Sequence, residues 1–360
     1  MSYLNSLPII DRYLGRSVAL STVVVMSVLL ALFTFFAFTD ETANIGRGNY
    51  GTLQAFEYAL LTAPRLAYQL IPIGVLLGTT IGLGMLASNS ELVVIRASGV
   101  SLPRIIVSVM KVGLVFVLVT IVLGEFVAPQ AERYAQTLRS VAMSNKLTMQ
   151  GKSGLWARDG GSFVNVREIL PGDRLGQIFI FERSADYRIK RLLRAKTAVY
   201  RKGQWLLREV VSSEIGDGVV KSQNFKELPW QTQLSPDLLN VVTVKANTLS
   251  IWGLYQYLKY LRENGLDASV YEQTLWGKLM APLVTAVMVF LAIPFVFGPL
   301  RSVGVGQRVM VGALVGIGFH IINQMFSYLG IVFGLNAILS ASLPVLLAFI
   351  AGYLLLRRVS

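Results

Sequence analysis

Residues 105–130 read IIVSVMKVGLVFVLVTIVLGEFVAPQ, from Ile105 to Gln130. Within Ile105–Val127 only Lys111 and Glu125 are charged. A helix needs about 20 mainly apolar residues to cross a hydrocarbon core of roughly 30 Å, so this run is long enough to span a bilayer. From Pro129 to Glu272 no comparable run recurs. A membrane span followed by a long polar insertion, with further spans on both sides, decides the fold class.

Two more runs precede this one, Leu14–Phe38 and Leu66–Ala87, and three follow it, Leu275–Phe297, Val309–Tyr328 and Ala337–Leu356. The first is too long for a cleavable signal peptide and no small-x-small site follows it, so it reads as a true span. Composition agrees. The chain has 360 residues, 54% hydrophobic and only 15% charged, where soluble proteins carry roughly 25% charged residues. Its mean hydropathy is +0.58. With no cysteine there is no disulfide framework, thiolate metal site or cysteine nucleophile. A single histidine, His320, cannot supply a metal site, and it lies in a span, away from any hydrolase pair in the insertion. No cofactor is implied.

Lys and Arg in short loops set orientation. One side collects Arg12, Arg16, Arg96, Arg104, Lys111, Arg301, Arg308, Arg357 and Arg358, and the other only Arg47 and Arg65. Both termini are therefore expected in the cytoplasm. The insertion after the third span is expected outside, since long translocated domains escape the rule. The net charge of +13 suits anionic lipid headgroups or phosphorylated glycolipids; no nucleic acid is implied.

Inside the insertion the periodicity changes. Gly176–Phe181, Arg194–Tyr200 and Trp205-Leu206-Leu207 alternate as strands do, with Lys202-Gly203 as a hairpin turn. Several such strands suggest a sandwich or jellyroll-like sheet. An amphipathic helix follows at about 250–264, with Ser250 as N-cap and Ile251, Leu254, Tyr255, Leu258 and Leu261 at helical spacing up to Asn264-Gly265. The expected class is thus a six-helix membrane bundle with an inserted periplasmic β-jellyroll. Its parts are 1–128, 129–272 and 273–360.

Other motifs carry little. Gly151-Lys152-Ser153 resembles the end of a Walker A loop, but the glycine required five residues earlier is Lys146. His320 reads as a polar residue facing other helices. Glu125 reads as a local partner for an interfacial arginine. Gly82, Gly84 and the glycines at 304, 306, 312, 316 and 318 permit close helix contact.

The loop after the second span is more informative. It reads SNSELVVIRASGVS from Ser88 to Ser101. Ser90 is placed to cap a short helix, Glu91 favours its first turn and Gly99 ends it. Leu92, Val93 and Ile95 then need cover. With Arg96, this helix at about 89–99 is a candidate coupling helix for a cytosolic ATPase.

Taken together, these segments resemble one family along most of the chain. Asp11-Arg12-Tyr13-Leu14-Gly15 opens the resemblance. Gly82-Leu83-Gly84-Met85-Leu86-Ala87, Ser90-Glu91-Leu92-Val93-Val94 and Ala97-Ser98-Gly99 continue it. Gly124-Glu125, Val127-Ala128-Pro129-Gln130, Gly154-Leu155-Trp156-Ala157-Arg158-Asp159-Gly160 and Phe297-Gly298-Pro299-Leu300-Arg301-Ser302 complete it. The chain is similar to the lipopolysaccharide export permeases, the paired F and G permeases of the Lpt machine. The Gly-Leu-Trp-Ala and Phe-Gly-Pro-Leu-Arg-Ser segments bring it nearer to the G branch.

The resemblance implies a permease without enzymatic activity. It would pair with its paralogue LptF, bind a dimer of the cytoplasmic ATPase LptB, and extract lipopolysaccharide from the outer leaflet of the inner membrane. Its β-jellyroll would stack with the single-span periplasmic protein LptC and the bridge protein LptA. Lipid A carries phosphates, which cations at the outer rim suit. Arg65, before the second span, Arg133 and Arg139, after the third, and Lys278, at the start of the fourth, are the candidates. Arg65, Arg139 and Lys278 match basic positions of the family best. The outer end of the first span departs from it, with Ala37, Asp40, Glu41, Ala43 and Asn44 where family members can carry lysines. A secondary transporter for another anionic lipid is the alternative, but neither an inverted repeat nor buried titratable residues stand out.

Overall fold

The computed structural model describes residues 9–144, 155–159, 162–170, 174–183, 189–201, 204–216, 219–232, 234, 246–297 and 303–359. The elements are α1 (Ile9–Thr42), α2 (Thr52–Ser88), α3 (Glu91–Ala97), α4 (Leu102–Val122), a π-helical turn (Leu123–Val127) and α5 (Ala128–Ser144). Strands β1 (Leu155–Asp159), β2 (Ser162–Leu170), β3 (Arg174–Arg183), β4 (Ile189–Arg201), β5 (Gln204–Gly216) and β6 (Val219–Trp230) follow. After a 3₁₀ turn (Ala246–Thr248) come α6 (Ile251–Glu263), α7 (Ser269–Phe297), α8 (Val305–Val332) and α9 (Ala337–Val359).

Six helical segments are long and apolar enough to cross a membrane: α1, α2, the run Leu102–Met143, α7, α8 and α9. Every apolar run read from the sequence lies within one of them. The helices overrun those runs. At about 1.5 Å per residue, the 37 residues of α2 exceed the thickness of a hydrocarbon core. Arg65 therefore lies inside α2, and Lys278 inside α7, where the sequence suggests span ends.

Contacts divide the chain into two compact units. One comprises Met1–Asp40, Ala59–Glu132 and Ser269–Ser360, and the other Glu41–Tyr58 and Arg133–Ala268. The core of the first is a cluster of aliphatic side chains that includes Leu14, Val18, Ile71, Leu76, Ile105, Val109, Met288, Ile293 and Val345. Burying such side chains away from polar surroundings leaves dispersion and shape to order the helices. α7 packs on α4 and α9, and α9 on α8. α1 approaches α2 along glycines four residues apart. A Cβ on Gly78 would stand 2.3 Å from Thr22 Cα, and one on Gly82 2.9 Å from the Ser17 carbonyl oxygen. No larger residue fits there.

In the second unit the six strands form one antiparallel sheet in the order β1-β2-β3-β4-β5-β6. This is the inserted β domain expected from the alternating segments. Val164 pairs with Ile180, and Ile180 with Leu193. All three are buried, as are Ile178, Ala195, Leu207 and Val210, so one face of the pleat forms the core. Trp205 is buried against it and donates from Nε1 to the Leu234 carbonyl at 2.6 Å. α6 joins the same unit through Tyr260, whose hydroxyl donates to the Arg158 carbonyl at 2.6 Å. Ser250 caps α6 as expected, accepting from the Gly253 N–H at 3.1 Å.

Residues 129–144 differ from the expected β character, since α5 keeps them helical to Ser144. Ala, Gln, Glu, Arg and Leu are strong helix formers. Ala128, Glu132 and Ala135 bury one face at helical spacing. Three sequence features lie outside the described residues: Gly151-Lys152-Ser153, the Lys202-Gly203 turn, and the stretch Gly298 to Ser302.

Candidate functional site

The short helix α3 forms between Ser90 and Gly99. Its end is a Schellman motif. Gly99, at φ +93°, sends its N–H to the Arg96 carbonyl at 3.1 Å, and Val100 sends its N–H to the Ile95 carbonyl at 3.4 Å. Its start corrects the sequence reading. Ser90 occupies the N-cap position, but its side chain makes no capping bond and its backbone is left-handed at φ 61°. In that conformation the hydroxyl is turned from the N–H groups that an extended cap residue reaches, as Ser250 does.

Cover of the apolar residues is also split. Leu92 is buried and Ile95 packs partly on the core. Val93 is exposed in this chain, and so are Val94 and Arg96. A helix with one side buried and the other bare has a face left to dock. Glu91 lies at that end. Its Oε2 accepts from the Tyr13 hydroxyl at 2.5 Å and its Oε1 from Asn89 Nδ2 at 3.1 Å. The Tyr13 bond, and then the Asn89 bond, hold the Glu91 carboxyl below the usual range, so it stays charged. Ile9, Ile10, Tyr13, Asn89, Glu91, Val94 and Ile95 line a groove of about 310 Å³ beside it.

Arg308 is the residue that sequence reasoning misses. It groups with the loop cations by position, yet it is fully buried in the first turn of α8. Its Nη1 donates to the Gly84 carbonyl, and to Ser88 Oγ at 2.8 Å. A Cβ on Gly84 would lie 2.7 Å from Arg308 Cδ, so the glycine makes room for the guanidinium. The cation also complements the carbonyl-rich end of α2. The signal is present as Gly84 four residues before Ser88, but its partner is 224 residues away. Lys111 likewise belongs to a helix. Its Nζ donates to Asp11 at 3.0 Å, and Ser108 Oγ donates to the same carboxylate at 2.6 Å.

The four candidate phosphate-binding cations occupy different settings. Arg65 donates from Nε to Glu132 at 3.0 Å, with the glutamate side chain only 4% exposed. Lys278 lies with Nζ 5.7 Å from the Tyr68 ring centroid, in the electrostatic neighbourhood of Glu125. Glu125 thus has a lysine neighbour where the sequence suggests an arginine. In the other unit, Arg139 Nε forms an ion pair with Glu41 Oε1 at 3.0 Å, and its guanidinium lies 5.3 Å from the Tyr58 ring centroid. Arg133 is exposed one residue along from Glu132. The carboxylate partners Glu41 and Glu132 have no signal in local sequence.

His320 faces outward from this chain's own helices and meets Gln324 at 3.3 Å. Gly312 and Gly316 face Leu77 and Ile73 of α2, as packing glycines do.

A family model described as "Lipopolysaccharide export system permease LptF/LptG" matches residues 12–358. The chain belongs to that family. The lipopolysaccharide export system permease protein LptG of Escherichia coli (strain K12) is 37% identical over 356 residues, covering 98% of this chain and 99% of the relative. LptG of Haemophilus influenzae is 36% identical over 351 residues, covering 97% and 98%. Within LptF/LptG the chain is most like LptG. It is a multi-pass inner-membrane permease of a transport system. Asp11 and Tyr13 of its opening motif each hold a second element in place, Asp11 through α4 and Tyr13 through Glu91. Gly84 and Gly99 of the following motif admit the Arg308 guanidinium and end α3.

Proposed function

We propose that this LptG-like chain is one permease half of an ABC-type exporter. It draws lipopolysaccharide from the outer leaflet of the inner membrane and passes it to a periplasmic bridge. The paralogous permease LptF completes the membrane part. A dimer of the cytoplasmic ATPase LptB hydrolyses ATP, docking on α3 through Glu91, Val93, Val94 and Arg96. The β domain stacks with LptC and LptA, where exposed edge N–H and C=O groups template strand addition. Both termini lie in the cytoplasm and the β domain in the periplasm, consistent with the charge of the short loops. The observation that carries the reading is the family match over nearly the whole chain.

Arg65, Arg133, Arg139 and Lys278 are the proposed phosphate contacts. Arginine suits phosphate because its fork presents two parallel N–H donors. The chain itself performs no chemistry; it binds, orients and releases an amphiphile while the partner ATPase supplies the free energy. The test is reconstitution with LptF, LptB and LptC in proteoliposomes. ATP-dependent release of lipopolysaccharide to a soluble bridge protein is expected. Release that continues without the ATPase, driven by an ion gradient, would instead favour a secondary transporter.

A further inference from the structure

Helix α6 buries its apolar stripe in the core of the second unit. Leu254, Tyr257, Leu258, Tyr260 and Leu261 are buried, and the Tyr257 and Tyr260 rings stack at 5.9 Å. The opposite face of such a helix is ordinarily polar. Here it carries Trp252 and Tyr255, 64% and 56% exposed, with their rings stacked at 6.0 Å. Tyr255, whose spacing in the sequence groups it with the core face, therefore points outward. Gln256, Lys259 and Arg262 are exposed along the same face on the same and later turns. Single exposed apolar residues are ordinary, but a stacked tryptophan and tyrosine on the polar side of an amphipathic helix are not.

The place of α6 in the chain indicates what meets this face. Five residues, Asn264–Ala268, join it to α7, which is long and apolar enough to cross a membrane. Even fully extended, such a link reaches no more than about 18 Å. This one is shorter still, because the Gly265 and Leu266 N–H groups turn back to the Arg262 and Leu261 carbonyls. Leu266, within it, is 36% exposed, and α7 exposes Leu279 and Leu283, side chains that suit lipid. Tryptophan and tyrosine collect where hydrocarbon meets water, because each has an apolar ring body and a polar tip. We propose that the outer face of α6 is an interfacial anchor: the Trp252 and Tyr255 rings sit among lipid headgroups and hold the β domain to the bilayer surface. Between Ile251 and Ala268 the charged residues are Lys259, Arg262, Glu263 and Asp267, which cancel. Lys259 Nζ lies 3.9 Å from Glu263. The attachment is therefore aromatic and not electrostatic, so it requires neither anionic lipid nor low salt. It is independent of the proposed phosphate and ATPase contacts and requires only that α7 crosses a bilayer.

The sequence has no cysteine, so a single introduced one takes a nitroxide label uniquely. Gln256→Cys places the label on the aromatic face, and Val220→Cys, at an exposed position of β6, serves as the reference. The full chain is measured in phosphatidylcholine nanodiscs doped with a nickel-chelating lipid, alone and with cysteine-free partner proteins. The nickel headgroup relaxes only labels at the bilayer surface. It should relax the label at position 256 several-fold more strongly than the label at position 220, in both preparations and at high salt. Adding Trp252→Ala and Tyr255→Ala should bring the first label down to the reference. Relaxation at position 256 no stronger than at position 220 overturns the anchor. So does relaxation that is lost at high salt, or that persists without the two rings. A label shielded from both lipid-bound and free nickel once the partners are added marks the face as a protein interface and excludes the anchor equally.

Discussion

In the sequence Arg308 reads as a loop cation and Arg139 as a cation that follows the third span, and the protein holds them in opposite ways. Arg308 is 0% exposed, and a backbone carbonyl and a hydroxyl are among its partners. Arg139 has a side chain 28% exposed, and its partners are a carboxylate and a ring. A guanidinium deprived of water and bonded to main chain fixes one helix end against another. A guanidinium at a wet rim beside an ionised group exchanges acceptors at little cost, since water and a ligand compete on similar terms. The first arrangement suits a strut and the second a binding site.

The largest effect expected from this comparison is at the strut. Arg308→Met removes a charged donor from the Gly84 carbonyl and the Ser88 hydroxyl, which still bond to each other; loss of a hydrogen bond to a charged group costs about 1.5–3 kcal/mol. Thermal unfolding of the detergent-solubilised protein should show a clear loss of stability, and Gly84→Ala should move it the same way by crowding the guanidinium. If Arg308→Met melted as the wild type does, Arg308 would be no more structural than a rim residue.

Much of this organisation is legible in the sequence because it rests on local periodicity. A bilayer demands about 20 apolar residues in a row, so the six spans stand out. The soluble insertion shows itself by alternation at Gly176–Phe181 and Arg194–Tyr200, which fall in β3 and β4. Gly99 is legible because a left-handed residue ending a helix calls for glycine. Long-range pairing is not. Glu132 reaches Arg65 across 67 residues, and Arg308 reaches Gly84 across 224. Ser90 misleads because residue type and position both fit a cap, while the tight turn from α2 into α3 imposes a left-handed backbone. Glu41 misleads in another way: as an acidic residue it argues against a phosphate site near the end of the first span, but it proves to be the partner of one candidate cation.

An intermediate effect is expected at α3. Glu91→Lys reverses a charge held by Tyr13 and Asn89 on the bare side of the helix. Copurification of the ATPase and complex-dependent ATP hydrolysis should fall several-fold, while thermal stability changes far less than in Arg308→Met. Normal copurification together with a normal hydrolysis rate would remove α3 as the dock.

The smallest effects separate two serines with the same apparent role. Ser250→Ala removes a real cap bond and should cost about 1 kcal/mol. Ser90→Ala removes no cap bond and should stay within about 0.5 kcal/mol, the range of ordinary surface changes. Ser90→Gly should be neutral or slightly stabilising, because glycine accepts the left-handed backbone. Equal losses for the two alanine variants, followed by thermal or denaturant unfolding, would contradict the capping geometry.

The central claim is that this chain binds a phosphorylated amphiphile through rim cations that its ATPase dock does not need. The most direct measurement is lipopolysaccharide retention by the purified complex carrying Arg65→Glu with Arg139→Glu, read beside ATPase copurification. Each charge-assisted contact to phosphate is worth about 1.5–3 kcal/mol in a partly desolvated rim. Loss of both should lower retention by about ten-fold or more, with copurification at the wild-type level. Unchanged retention in an intact complex would contradict the claim and leave selectivity to the apolar surfaces of the spans.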